Sequence, residues 1–117
     1  MGWTKWRKIA DQYEWYDEKL DWDGPGCYEL AIAGPRGGDL RPVYIGETSN
    51  ERHRVATYAR NGSHLSKIVN QHLRRGWTLW YRAQATRTKA AAKARQDRLL
   101  DRFDYDWNIQ LNTSGKD

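Results

Sequence analysis

The chain of 117 residues has one cysteine, one methionine, one phenylalanine and three prolines. The single cysteine, Cys27, excludes an internal disulfide and a zinc site built from several cysteines. No apolar run approaches the roughly 20 residues that cross a bilayer, and the first residues lack the apolar core of a secretory signal. These absences predict a cytoplasmic protein without membrane association, and the short length predicts one compact domain.

The apolar residues are instead rich in tryptophan and tyrosine, with seven of each. Because a buried aromatic ring removes a large apolar area from water, we expect most of these rings to replace aliphatic side chains in the core. Charge is unevenly divided: residues 1–50 hold 6 Lys/Arg and 9 Asp/Glu, whereas residues 51–117 hold 14 and 6. The basic second half fits a nucleic-acid partner, and an ordinary solvated surface explains it equally well.

Periodicity along the chain predicts an α+β fold with a small, mainly antiparallel sheet of three strands flanked by helices. Helical spacing of apolar residues predicts an extra N-terminal helix to about residue 19, and a glycine- and proline-containing linker follows. Strands are predicted over 27–33 and 42–46, which form a hairpin, and over 77–84. Helices are predicted from a cap at Ser49 or Asn50, from a cap at Ser63 and over 88–103. The polar tail over 112–117 is expected to be disordered.

The predicted hairpin carries a paired motif. Gly26-Cys27-Tyr28 opens its first strand, and Tyr44-Ile45-Gly46 closes its second. Arg54 follows eight residues after the second motif, and Tyr58 lies one helical turn further on the same helix face. In this order and spacing the chain resembles the GIY-YIG nucleases, with Cys27 in place of the central isoleucine. The resemblance covers roughly residues 26–108.

The last predicted helix carries Gln96 where that family keeps its metal-binding glutamate. The family's glutamate precedes a Leu-Leu or Leu-Ile pair and an asparagine follows it, and here Leu99-Leu100 and Asn108 supply both landmarks. Helical periodicity places Gln96 on the inward face, with Ala92 and Phe103 among its neighbours. An ordinary hydrogen-bonded core glutamine is the alternative interpretation, because burying an amide without partners is costly.

The resemblance implies hydrolysis of DNA phosphodiester bonds, double-stranded DNA above all, with one divalent metal, Mg²⁺ or Mn²⁺. Tyr28 or Tyr44 would activate or position the attacking water, and Arg54, with Tyr58 on the same helix face, would stabilise the charged phosphate. Gln96 would stand at the metal position, and its neutral amide predicts weak metal binding and impaired cleavage. A deliberate Glu→Gln change and a natural non-catalytic nucleic-acid-binding protein both explain this glutamine.

Basic and polar residues around this site are predicted to contact DNA. They are Arg52, His64, Ser66, Lys67, Arg74 and Arg75. The resemblance divides the chain into an N-terminal helix and linker over 1–24, a nuclease domain over 25–109 and a tail over 110–117. Because a duplex break takes two cuts, a one-site domain implies a nickase or a homodimer, and the family suggests a bacterial or phage-infected host cell.

Overall fold

The structure is a computed structural model that describes residues 2–16, 20 and 22–110, apart from the side chain of residue 110. Its elements in chain order are β1 (Arg7–Ala10), β2 (Gly26–Gly34), β3 (Gly37–Thr48), α1 (Glu51–Ala59), α2 (Ser66–Leu73), β4 (Thr78–Ala85), α3 (Lys89–Arg102) and α4 (Asp106–Gln110). This content is α+β, as predicted. The tail that we predict to be disordered lies outside the described residues, apart from the backbone of residue 110.

The four strands form one antiparallel sheet in the order β1-β4-β2-β3. On β2 and β3, Tyr28 lies opposite Gly46, and Cys27 lies opposite Glu47. Opposed residues share a face of the sheet, and successive residues alternate between faces. We call the face with Tyr28 and Gly46 the tyrosine face, and the face with Cys27 and Glu47 the cysteine face.

The N-terminal segment is a strand, so the predicted N-terminal helix and the predicted three-stranded sheet are wrong. β1 pairs with β4, and Trp3 forms a further antiparallel bridge with Gln84. The guanidinium of Arg82 lies 4.3 Å from the ring centroid of Trp3 and 4.6 Å from that of Trp6. These contacts with β4, together with the hydrogen bonds of its open edge, outweigh the local helical spacing of the aromatic residues.

Helices α1 and α2 pack on the tyrosine face. Asn50 caps α1, as predicted, by accepting a hydrogen bond from the backbone N–H of His53. The predicted cap of the next helix is wrong, because α2 has no side-chain cap and Ser63 Oγ accepts from the N–H of Leu65, at 3.1 Å. Helical spacing of five residues predicts an inward stripe on this helix: Leu65, Ile68, Val69, His72 and Leu73. Four of them are buried, and His72 is half-buried.

Helix α3 packs against the cysteine face. Near its start, Lys89 Nζ lies 3.5 Å from Glu47 Oε1. Ala92 and Gln96 are fully buried, as the periodicity predicts, but Phe103 is 52% exposed, because the chain leaves helical conformation at this residue, with φ −131° and ψ 144°. No helix within the described ranges is long and apolar enough to span a membrane.

The short helix α4 closes the outer edge of β3. Asn108 Oδ1 accepts a hydrogen bond from the N–H of Ile45 at 2.9 Å, and Asn108 Nδ2 donates to the carbonyl of Ile45 at 3.0 Å. An open strand edge exposes such unpaired backbone groups. Asn108 therefore pairs both backbone groups of Ile45, the middle residue of the motif Tyr44-Ile45-Gly46.

Candidate functional site

Four buried tyrosine rings lie together on the tyrosine face. Tyr28, Tyr44, Tyr58 and Tyr81, which we call the tyrosine cluster, are at most 1% exposed. Tyr81 stacks on Tyr28 with ring centroids 5.3 Å apart, and the ring of Tyr44 lies 6.3 Å from that of Tyr28. The sequence indicates three of these as site residues. It does not indicate Tyr81. The periodicity of β4 predicts which way this side chain points, but it does not predict that β4 lies beside β2, the strand that carries Tyr28.

The hydroxyl groups of the cluster make two separate hydrogen bonds. The hydroxyl oxygens of Tyr28 and Tyr58 lie 2.9 Å apart. The hydroxyl of Tyr44 lies 3.2 Å from Nε2 of His64, which is exposed on the segment before α2. The structure therefore brings these predicted residues together, and His64 connects a buried tyrosine hydroxyl to the surface.

The glycines of the paired motif give space to neighbouring side chains. A Cβ at position 46 would lie 2.5 Å from Cζ of Tyr28, and one at position 26 would lie 2.9 Å from Cγ of Glu51. Side chains at either position would overpack the site. Gly46 is thus required by the ring of Tyr28, whereas Gly26 is required first by the backbone carbonyl of Gln84, whose oxygen would lie closest to such a Cβ, and then by Glu51.

Glu51 is a buried acid beside the cluster that the sequence does not indicate. It has no exposed surface, and its Oε1 accepts a hydrogen bond from the Tyr81 hydroxyl at 3.2 Å. Burial raises the pKa of Glu51 to about 8, against the opposing effects of the Tyr81 hydrogen bond and the Arg54 charge. An acid in the first turn of a helix ordinarily serves the helix dipole, so its sequence position carries no signal of burial.

Arg54 and Gln96 are carried by different helices. Arg54 is half-buried on α1, where its charge acts on Glu51 and Tyr81. Gln96 is fully buried on α3, the helix whose Lys89 contacts the cysteine face. The structure thus groups the three predicted tyrosines with Arg54 and buries Gln96 on α3.

The predicted DNA-contacting residues divide into two groups. Arg52 ties α1 to the segment before β2, because its Nε donates to the carbonyl of Leu20 at 2.9 Å and its Nη1 lies 3.6 Å from a carboxylate oxygen of Asp23. The other group lies along α2 and its two ends, and only Ser66 among its members is half-buried instead of exposed. Its members are His64, Ser66, Lys67, Arg74 and Arg75.

The chemistry at position 96 does not fit the divalent metal of the family. Mg²⁺ is held in proteins by carboxylate oxygens and several waters, whereas Gln96 offers a neutral amide with no exposed surface. Across the part of the chain that the structure describes, no three His, Cys, Asp or Glu side chains are grouped to hold a metal ion. We therefore derive no chemical step through a metal at this position.

Comparison with known proteins gives one family and one curated relative. A family model described as GIY-YIG domain-containing protein matches residues 3–117. The chain is similar to Protein EFFECTOR OF TRANSCRIPTION 3 of Arabidopsis thaliana, with 28% identity over 136 aligned residues that cover 96% of this chain and 52% of that protein. The chain thus spans about half the length of this relative. No solved structure matches the chain.

Proposed function

The chain belongs to the GIY-YIG family, and on that basis we propose that it is a DNA-binding domain of the nuclease type whose cleavage is impaired by Gln96. The family suggests a nuclease-type function, with nucleic acid as the substrate. One observation carries the finer proposal. The tyrosine cluster is assembled with Arg54 on one face, whereas the residue at the family's glutamate position is a buried neutral amide.

The exposed cations along α2 supply the proposed contacts to the DNA backbone. Lys67, Arg74 and Arg75 are exposed there, and His64 is exposed beside the cluster. Contacts of this kind release counterions from the phosphates, so binding should weaken steeply as salt increases. Because these contacts carry no sequence information, we expect little preference among DNA sequences from this surface.

The pair Tyr44 and His64 offers a route for a proton. A tyrosine must lose its proton before it can act as a base, and Nε2 of His64 lies 3.2 Å from the Tyr44 hydroxyl. With its own proton on Nδ1, His64 can accept the Tyr44 proton and pass it to water. Arg54, on the same face, would stabilise negative charge on a bound phosphate.

Restoring the carboxylate tests the proposed nuclease function. We expect Gln96→Glu to nick supercoiled plasmid in the presence of Mg²⁺, and the unchanged chain to bind the same plasmid with little or no nicking. Gln71→Glu, which makes the same change at an exposed glutamine of α2, is the matched control and should not nick. DNA binding by Gln96→Glu without any nicking would contradict the nuclease proposal.

That last result would support the second candidate, a non-catalytic nucleic-acid-binding domain. The neutral, fully buried side chain of Gln96 at the family's glutamate position favours it, and so does the name of the Arabidopsis relative, an effector of transcription. Fluorescence anisotropy with duplex DNA at increasing salt would measure such binding directly.

The homodimer, the cytoplasmic location and the host remain predictions. Light scattering with and without DNA would test the predicted homodimer.

A further inference from the structure

Glu51 holds a buried oxygen atom for which the described residues provide no hydrogen-bond partner. Oε1 accepts from the Tyr81 hydroxyl, whereas Oε2 is buried and makes no hydrogen bond to them. Most buried polar atoms are paired, because leaving one unpaired is costly. An unpaired oxygen on a residue that also lines a cavity therefore points to a polar ligand atom as its partner.

A cavity of about 210 Å³ lies beside this carboxyl, with Glu51, Thr4, Arg7, Trp22, Ala83 and Ala85 among its lining residues. A water molecule occupies only about 30 Å³ of liquid, and pockets for drug-sized ligands span roughly 300–1,000 Å³. The cavity therefore suits a single small ring system. Its alanines contribute little side-chain volume, so the space over this part of β4 stays open.

The aromatic wall of the cavity is fixed in place. Trp22 Nε1 donates to the carbonyl of Pro25 at 2.7 Å. Its ring also fills the space beside Gly24, where a Cβ would lie 2.5 Å from Cζ2 of the indole. A fixed indole offers a stacking surface for a planar ligand without further loss of conformational freedom.

The carboxyl of Glu51, a residue that lines the cavity, holds a proton at neutral pH. Its carboxyl, which burial keeps largely protonated near pH 7, accepts from Tyr81 through Oε1, so the proton resides on Oε2. Four other titratable or charged groups surround it: Tyr81, Arg54, Arg7 and Cys27. Burial raises the pKa of the Cys27 thiol to about 12 and that of Tyr81 well above its ordinary value. Of the three acids in this group, Glu51, Cys27 and Tyr81, only Glu51 has a pKa near 8.

The surroundings disfavour a cation as the occupant. Arg7 lines the cavity, and the charge of Arg54 acts on the carboxyl. Two neighbouring positive charges repel a metal ion. A neutral ring that accepts one hydrogen bond meets no such repulsion.

We propose that this cavity binds a nucleobase of an unstacked nucleotide, with Glu51 Oε2–H donating to a ring nitrogen or carbonyl oxygen of the base and Trp22 stacking on it. Enzymes that take a base out of the stack read it by this combination of hydrogen bonds and aromatic contacts. The inference rests on the proposed binding of nucleic acid. The cavity is bordered by Glu51, the first residue of α1.

The test compares single-stranded dA10 with an abasic decamer of the same backbone, measured by fluorescence anisotropy with the full chain at pH 6.5 and pH 9.5. We expect dA10 to bind about fivefold more tightly than the abasic decamer at pH 6.5, since one hydrogen bond contributes on that order. This advantage should disappear at pH 9.5, where the carboxyl has lost its donor proton. The abasic decamer corrects for any general effect of the added negative charge.

Two variants of Glu51 separate donor loss from disruption. Glu51→Gln keeps an uncharged donor, so the preference for dA10 should persist at both pH values, whereas Glu51→Met should lose it. Glu47→Gln, a change at a buried glutamate of the cysteine face, should behave like the unchanged chain. Equal affinity of the unchanged chain for both decamers at pH 6.5 would overturn the base site alone. Absence of binding to either decamer and to duplex DNA would overturn the proposed function with it.

Discussion

The ring of Tyr28 occupies the space that a side chain at position 46 would need, since a Cβ there would lie 2.5 Å from Cζ of Tyr28. Gly46→Ala should therefore destabilise the fold by about 1–3 kcal/mol, the usual cost of overpacking a rigid core. Urea unfolding would measure the loss. Gly62→Ala is the control, because its nearest neighbour would be 3.5 Å away, and equal stability of the two variants would contradict the contact.

The hydrogen bond between Tyr28 and Tyr58 should appear as a coupling energy. Their hydroxyl oxygens lie 2.9 Å apart in the buried cluster, and a bond of this kind contributes about 1 kcal/mol. A double-mutant cycle of Tyr28→Phe and Tyr58→Phe, followed by urea unfolding, isolates the pairwise part of the loss. Tyr13, which is 85% exposed, offers Tyr13→Phe as a variant that should show no coupling to either. Additive losses for Tyr28 and Tyr58 would show that their bond contributes nothing.

Glu51 should make the stability of the protein depend on pH. Burial raises its pKa from 4.5 to about 8, so the folded state holds this proton more tightly than the unfolded chain. Its stabilising contribution is complete below pH 4.5 and is lost as pH rises through 8. Glu51→Gln cannot ionise and should gain stability relative to the unchanged chain between pH 5.5 and pH 8.5, on the order of a few kcal/mol. Parallel pH profiles of the two proteins in urea would refute this assignment, and Glu14→Gln at an exposed site serves as the control.

Asn108 should stabilise the sheet through its two hydrogen bonds to the backbone of Ile45. Asn108→Ala leaves buried backbone groups unpaired, which costs about 1–3 kcal/mol for each unsatisfied group. Asn108→Asp with a protonated carboxyl, for example at pH 3, keeps both an acceptor for the N–H of Ile45 and a donor to its carbonyl, so its loss there should be smaller than that of Asn108→Ala. Thermal unfolding ranks the three proteins. Unchanged stability of Asn108→Ala would show that water replaces the side chain at this edge.

Arg82 should anchor the N-terminal strand. It lies over the rings of Trp3 and Trp6, and its Nε donates to the buried Glu29 carboxylate at 2.7 Å. Lysine lacks the planar group that can stack on rings and pair with a carboxylate at once. Arg82→Lys should therefore cost about 1–2 kcal/mol and speed hydrogen exchange in β1. Arg98→Lys, at an exposed position of α3, should leave both measurements unchanged.

The sequence predicts those parts of the fold that depend on neighbours along the chain. The β2–β3 hairpin follows from two apolar strands around a glycine-rich turn, and the buried stripe of α2 follows from helical spacing. The N-terminal helix fails because Trp3, Trp6, Ala10 and Tyr13 match helical spacing by coincidence. Two of these rings are placed by Arg82, more than seventy positions away, and Tyr13 is exposed. Local periodicity contains no information about such long-range pairing.

The same distinction applies to the candidate site. Tyr28, Tyr44 and Tyr58 follow from motif spacing, whereas Tyr81 joins them only because β4 lies beside β2 in the sheet. Glu51 lies two helical turns before Tyr58 on α1, and only the position of β4 brings it to Tyr81. The side on which Gln96 lies depends on the packing of α3, which helical periodicity leaves undetermined. A period of 3.6 residues identifies the inward side of a helix, but it does not identify the face of the sheet that the helix covers.

The strand order also fixes the sequence of events as the chain is made. β2 and β3 are joined by a short turn, so their pairing closes only a small loop, whereas β1 must wait for β4, with Arg7 opposite Tyr81. Contacts between residues far apart in sequence slow folding, because the entropy of closing the loop is lost before they form. During synthesis, β1 therefore stays without its sheet partner until β4 has been made, and it joins the sheet only through β4.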